Sequence, residues 1–255
     1  MLTNLGCDPE VFLVNAEGKF ISSVGLIGGT KDDPMPIDDA GNAVQEDNVA
    51  VEFNTPPCSS KQMFIDNIRK NKDWLAEKAK QLGLTVALKP SAVFDDDQLQ
   101  TEAAQTFGCE PDYNAWEGGR MNPRPAAQNP NLRSAGGHIH IEIPEFVDKC
   151  LVVQWMDLYV GCMMLEFDND KDRRKLYGKP GAFRPKKYGV EYRTASNAWI
   201  ENDDLIAWVW DQTDKAVERA MAGEAFTEDQ GMKIRACINR SSLELLAELK
   251  AEFDL

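Results

Sequence analysis

An α+β fold, a curved and mainly antiparallel sheet flanked by helices, is what this 255-residue chain predicts, on three observations. Its candidate strands alternate polar with apolar residues instead of running wholly apolar, the pattern of a sheet covered on one face. Those strands do not alternate regularly with helices, so a parallel sheet built from βαβ units is not expected. Amphipathic helices are predicted over 202–222 and 241–253, against one side of such a sheet.

Each element has its own signal. Residues 6–14 read as an apolar strand, 15–18 as a polar turn with glycine, and 19–21 as the returning strand of a hairpin. Residues 25–42, rich in Gly, Asp and Pro, read as a long loop. Residues 49–54 form a short strand stopped by Pro56 and Pro57. Ser59 and Ser60 cap a helix to about Leu82, with Phe64, Ile65, Ile68, Trp74 and Leu75 at helical spacing and Gly83 at its end. Residues 84–88 are a strand, and 117–137 a linker long enough to carry function. Residues 138–143 alternate strictly, Pro144 opens a helix from about Phe146 to Phe167, and 188–194 is one more strand. Residues 1–255 are expected to form a single domain, helical from about 200 onward.

Composition narrows the function classes. Hydrophobic residues make up 43% and charged residues 27%, enough for a sizeable core. No apolar run of spanning length and no basic segment leading into one is present, so neither a membrane partner nor secretion is expected, and the expected location is the cytoplasm. With 42 acids against 28 bases, a nucleic-acid partner is disfavoured. The cysteines (Cys7, Cys58, Cys109, Cys150, Cys162, Cys237) lie far apart with no CxxC pair, and read as reduced packing residues. Trp74, Trp155, Trp208 and Trp210 read as core. With only two histidines, chemistry must lean on carboxylates and arginines.

Charge is unevenly placed. Asp32, Asp33, Asp38, Asp39, Glu46, Asp47 and Glu52 follow one another without a base. Between Lys171 and Arg193 the sign reverses, with Arg184, Lys186 and Lys187 among the bases, which suits a small anion or a solvated basic face.

The strongest clue is spacing. Asp8 and Glu10, His138 and His140 (continued by Glu142), and Glu191 and Arg193 are each two residues apart and share a strand face. Glu52 sits between Val51 and Phe53. Each pair alone is more often a solvent-facing strand surface than a ligand set. As a set they gain weight, because both histidines fall in Gly136-Gly137-His138-Ile139-His140, where glycines let a ligand approach the backbone. Carboxylates converging on one face repel unless a cation compensates, and Mg²⁺ or Mn²⁺ with oxygen ligands and an occasional histidine is the natural solution.

Gly6-Cys7-Asp8-Pro9-Glu10, Val51-Glu52-Phe53-Asn54-Thr55-Pro56-Pro57, Gly136-Gly137-His138-Ile139-His140 and Glu191-Tyr192-Arg193 stand in the order found in the glutamine synthetase and glutamate–cysteine ligase superfamily. Within it the chain resembles the phage-encoded carboxylate–amine ligases, the type-2 COOH·NH2 ligases, over about residues 5–200. The resemblance implies a glutamine synthetase-like catalytic domain that uses ATP to phosphorylate a carboxylate, after which an amine attacks the acyl phosphate. It implies metal ligation by Asp8, Glu10, Glu52, His138 and Glu191, with Glu52 alternatively a contact to the amine. His140 would be a neighbour on the substrate side, and Arg193 would stabilise the transferring phosphoryl group. The partners would be small-molecule or peptide carboxylates and amines, in an infected host's cytoplasm, with homo-oligomerisation open.

Arg184, Lys186 and Lys187 suit the nucleotide phosphates, and Arg120, Arg124 and Arg133 on the 117–137 loop suit a substrate carboxylate. The first-strand motif is Asp-Pro-Glu where the family has two glutamates. No Walker-type loop is present. The segment Gly108-Cys109-Glu110-Pro111-Asp112-Tyr113-Asn114 echoes the first motif with its acids exchanged, and has no assigned role. Cys7 and Cys109 have no histidine tied to them by sequence and read as inert. Two other readings stay open: a metal-dependent hydrolase acting through His138 and His140, and a non-catalytic virion or binding protein that retains the ligase fold.

Overall fold

A computed structural model describes residues 4–105, 112–123, 129–168 and 170–255. The first hairpin forms as its pattern predicts. Strand β1 (Leu5–Val14) returns to β2 (Phe20–Ile21), although only Leu13 and Val14 pair with it. The Gly-, Asp- and Pro-rich loop passes through a short β3 (Met35–Pro36) into β4 (Ala43–Asp47). β4 has no counterpart among the elements read from the sequence, since one valine carries its alternation. A tight turn follows, with Asn48 at φ +56°, a left-handed conformation that asparagine tolerates, and leads into β5 (Ala50–Asn54).

Helix α1 (Lys61–Gln81) starts where Ser60 accepts the Met63 N–H, and β6 (Thr85–Ala87) follows it. The region after it holds β7 (Ser91–Val93), α2 (Glu102–Gln105), β8 (Tyr113–Asn114), β9 (Arg120–Met121) and β10 (Leu132–Ser134), so short strands interrupt the supposed linker. β11 (Gly137–Glu142) is the strictly alternating strand.

Helix α3 (Lys149–Met156) begins later than Phe146, because Asp148 is the residue whose side chain accepts the Cys150 and Leu151 N–H groups. It does not continue as α-helix to Phe167 but widens into a π-helical segment over Asp157–Cys162, then tightens. After α4 (Arg173–Leu176) come β12 (Ala182–Pro185) and β13 (Gly189–Tyr192), then α5 (Asp203–Met221), α6 (Glu228–Arg240) and α7 (Leu243–Phe253). α6, unforeseen from the sequence, opens with a reciprocal Thr227–Gln230 cap.

The strands make an open antiparallel sheet in the order β3-β4-β5-β1-β11-β13-β12-β8-β9, with β2 and β6 on the far end of β1. β7 and β10 pair separately. Register decides which side chains meet. Gly6, His140, Glu191 and Arg184 lie opposite one another across β1, β11, β13 and β12. Asp8 faces His138, and Glu10 faces Glu52, which faces Gln45.

The other face carries Cys7, Val11, Val51, Phe53, Ile139, Ile141, Val190 and Tyr192, all buried with Phe64, Ile68, Val152, Trp199 and Val209. Phe64 and Trp199 stack at 5.8 Å there. A slip of one residue on any strand would drive its charges into this core, so burial enforces the register that assembles the polar face.

Candidate functional site

The polar face gathers two acidic groups. In the first, Asp8, His140 and Glu191 each offer a ligand atom within 4.8 Å of the others. Asp8 Oδ2 lies 3.0 Å from His140 Nε2, and Asp8 Oδ1 lies 3.3 Å from His138 Nδ1. Glu191 is fully buried and draws in cations: Lys186 Nζ at 2.7 Å, Arg184 Nη1 at 3.3 Å, and the Arg193 guanidinium. Arg193 Nη1 also lies 3.3 Å from His138 Nδ1.

Electrostatics follows those contacts. Burial works against ionising Glu191, yet Arg193, His138 and Arg184 hold its pKa at about 2. Asp8 behaves alike, since burial opposes its charge but His140 and His138 keep its carboxyl far below the ordinary range. The two histidines diverge. Burial and then Arg193 push His138 down to about 4, whereas Asp8 raises His140 against burial. Asp8 Oδ1, His140 Nε2 and Glu191 Oε2 are buried without an aligned hydrogen bond.

In the second group, Glu10, Asp47 and Glu52 bring their oxygens within the same 4.8 Å. Glu10 accepts the Gly136 N–H at 2.6 Å, and Glu52 accepts the Gln45 amide at 2.8 Å. The charge of Arg193 reaches all three carboxylates, and that of Lys31 and Arg184 reaches Asp47. Burial first, then Asp47, pushes Glu10 up to about 7, and Glu52 rises well above its ordinary value through burial, Asp8, Glu10 and Asp47. Burial likewise raises Asp47. Three clustered carboxylates, Glu52 buried and Glu10 and Asp47 partly so, are a donor set that suits a hard divalent ion such as Mg²⁺ or Mn²⁺.

A pocket flanks the row on each side. Glu10, Asp47, His138, Arg133, Arg173 and Arg193 line a small charged one of about 50 Å³. Gly6, Cys7, Thr55, Pro57, His140 and Tyr188 line a larger, mainly apolar cleft of about 410 Å³. Asp8 stands between them on β1, next to Cys7 of the cleft and two residues from Glu10 of the charged pocket. The Tyr188 hydroxyl is hydrogen-bonded to His140 Nδ1, so the cleft reaches the first acidic group.

The other expected residues are placed variously. Lys187 is exposed in the β12–β13 turn, beside the inward Lys186. Arg120 is exposed on β9, at the sheet's outer end. Arg124 lies outside the described residues, as do Gly108–Pro111 of the echo motif, while Asp112 comes within 3.8 Å of Arg193. Arg133 lines the charged pocket, but its guanidinium donates to the carbonyls of Ala104, Pro130 and Leu132.

The glycines of the Gly-Gly-His motif serve internal packing rather than a ligand. A Cβ on Gly136 would lie 2.3 Å from the His138 ring, and one on Gly137 would lie 2.2 Å from the Ser196 carbonyl. Cys7 is buried in the core, which raises its thiol pKa and fits an inert role. Asp47 and Arg173 were missed by sequence reasoning. Asp47 lay within the acidic run, and pairing 43–47 with 50–54 would have set it beside Glu10 and Glu52. Arg173 donates to the carbonyls of Ala135, Thr194 and Arg193, tying α4 to both edges of the charged pocket.

Comparison with known proteins adds the following. No curated protein sequence matches the chain. Among solved structures, "Apo GmaS without ligand" is 12% identical with a TM-score of 0.47, and the alignment covers 97% of this chain and 65% of that one. "GmaS/ADP complex-Conformation 1" is 11% identical with a TM-score of 0.43, covering 97% and 66%. The chain thus spans slightly less than two thirds of the length of either. Residues 126–222 match the sequence profile of the family described as phage phiEco32-like COOH.NH2 ligase-type 2, the same family that the ordered motifs of this chain resemble.

Proposed function

We propose that residues 1–255 act as one unit, an ATP-dependent carboxylate–amine ligase that requires Mg²⁺ or Mn²⁺ and forms an amide or peptide bond through an acyl phosphate. The observation that carries this reading is the pair of acidic groups on one sheet face, between an arginine-lined pocket and an apolar cleft. Glu10, Asp47 and Glu52 would hold one ion, and Asp8, His140 and Glu191, with His138 beside them, another. Bound divalent ions supply charge neutralisation between the nucleotide phosphates and the carboxylate.

The chain's own residues do the rest. The apolar cleft beside Tyr188 suits a base and ribose, with Arg184, Lys186 and Lys187 toward the phosphates. Arg193 faces both acidic groups and suits the charge that spreads over a phosphoryl group in transfer. The charged pocket suits the carboxylate substrate, with Arg120 and Arg124 as further contacts. A substrate oxygen bonds to the γ-phosphorus as ADP leaves. The amine nitrogen then bonds to the acyl carbon as phosphate leaves, and the proton that the amine releases goes to solvent or, if Glu52 contacts the amine instead of the ion, to that carboxylate.

Thermal shift followed by ADP-release assays tests this. A shift that needs both ATP and Mg²⁺, with ADP release on adding an amine and a carboxylate, is expected. A ligand at about 100 times its Kd adds about 2.7 kcal/mol of apparent stability. Hydrolytic turnover with metal alone would overturn the reading in favour of a hydrolase, and no response to nucleotide with metal would favour a binding protein.

A further inference from the structure

Behind the sheet, on the core side, a single carboxylate reaches the strands that carry the cation-rich half of the site. Asp157 is fully buried and begins the π-helical segment that follows α3. It accepts from the Trp116 indole at 2.6 Å, the Gly181 N–H at 2.6 Å, the Tyr192 hydroxyl at 2.9 Å and the Thr194 hydroxyl at 3.1 Å. The Thr194 hydroxyl is shared with the Lys179 carbonyl at 2.9 Å, and these donors favour the charged carboxylate against the burial that pushes its pKa up to about 7.

Each donor belongs to an element of the site. Tyr192 is the residue between Glu191 and Arg193, and Thr194 is the residue after Arg193. Gly181 precedes β12, which carries Arg184, and Trp116 lies in the segment that brings Asp112 toward Arg193. Nothing of β1, β4 or β5 is among the partners. The π-helical turn makes the grip possible. Gly161, one turn on from Asp157, leaves space that the Tyr192 hydroxyl fills, since a Cβ there would lie 2.6 Å from that oxygen.

We infer that Asp157 is a positioning residue for the active site: by holding Tyr192, Thr194, Gly181 and Trp116 from behind the sheet, it sets the placement of Glu191, Arg193 and Arg184 without touching any of them. The catalytic consequence rests on the ligase reading; the positional one does not. Because a period-two strand fixes one face by fixing the other, holding Tyr192 holds its two neighbours.

The chain's two histidines both stand in the site, so their imidazole NMR resonances report on it alone. In folded Asp157→Asn, the His138 resonances are expected to shift from their wild-type positions, because Arg193 and Glu191 are its neighbours. In the ligase assay kcat should fall about 10-fold or more, with KM for ATP little changed. A merely structural role would lower Tm but leave the imidazoles of the folded protein unmoved.

Tyr192→Phe keeps the ring and removes one donor, so it should give the same shift at smaller amplitude, and it decides the matter if Asp157→Asn does not fold. Wild-type imidazole positions in the folded variants overturn the inference. Absence of ADP release from the wild type overturns the ligase reading alone, while the resonances still decide on Asp157.

Discussion

The two acidic groups share one face of one sheet and solve charge burial in opposite ways. Around Glu191 the protein supplies its own cations, Arg184, Lys186 and Arg193, and the carboxylate is ionised even at low pH. Around Glu10, Asp47 and Glu52 it supplies an N–H group, an amide and the field of Arg193, and burial still makes the carboxylates resist ionisation. Register alone explains the split, because β13 and β12 bring a basic stretch of sequence beside β11, whereas β4 and β5 belong to an acidic stretch. One half holds its charge through its own cations, and the other disfavours it, which is what the proposed metal site requires.

The largest test of that contrast is Glu191→Ala. Turnover should fall by about 10³-fold or more, read as ADP release. The fold should also lose about 3–5 kcal/mol in chemical denaturation, because buried cations are left without their carboxylate. Unchanged stability would show that Arg184, Lys186 and Arg193 do not depend on Glu191.

Next in size, saturating Mg²⁺ or Mn²⁺ should raise the stability of the wild type by about 2.7 kcal/mol at 100 times Kd, and Glu52→Gln should remove much of that gain. Without metal, the same Glu52→Gln change should stabilise the protein by about 1–2 kcal/mol at neutral pH, since it removes a group that must be neutralised to be buried, whereas Glu191→Ala leaves cations without their counter-ion. Opposite signs for the two variants are the sharpest form of the comparison, and equal signs would break it.

The smallest effect is in pH. Glu10 has an ordinary pKa of about 4.3 when unfolded and about 7 when folded, so the folded state binds its proton more tightly. That stabilisation is present below about pH 4.3 and is lost as the pH rises through about 7. The metal-free Tm should therefore drop by a few degrees between about pH 5.5 and about pH 8, and Mg²⁺ should restore it at the upper end. A metal-free Tm that rises over this range would count against the raised pKa of Glu10.

Much of the site was legible because strand alternation is local. Asp8 with Glu10, His138 with His140, and Glu191 with Arg193 announce a shared face at a spacing of two, and the structure joins the three strands side by side. Glu52, which stands alone in sequence, gains its meaning only from pairing with Glu10. Asp47 stayed hidden because β4 is too polar for its alternation to show.

Arg133 and Arg173 show the limit of counting bases. A guanidinium's charge is visible in sequence, but its engagement with carbonyls is set by the fold. Lys186 and Lys187 are neighbours of one type, and the β12–β13 turn points one inward to Glu191 and leaves the other exposed. Asp157 was invisible for another reason. The run after Pro144 reads as one apolar helix, and a widened turn within it changes which residues face the sheet.

The pairing of β1 with β11 has a consequence for how the protein is made. Glu10, Asp47 and Glu52 come from the first 52 residues, joined by a hairpin and one further strand pairing. Asp8 meets His138 and His140 only after some 130 residues more, and the Glu191 contacts wait for β13. Closing such long loops is slow compared with closing a hairpin. On a ribosome the N-terminal carboxylates can therefore assemble while their basic counterparts are still unsynthesised, and synthesis order itself separates the two halves of the site in time.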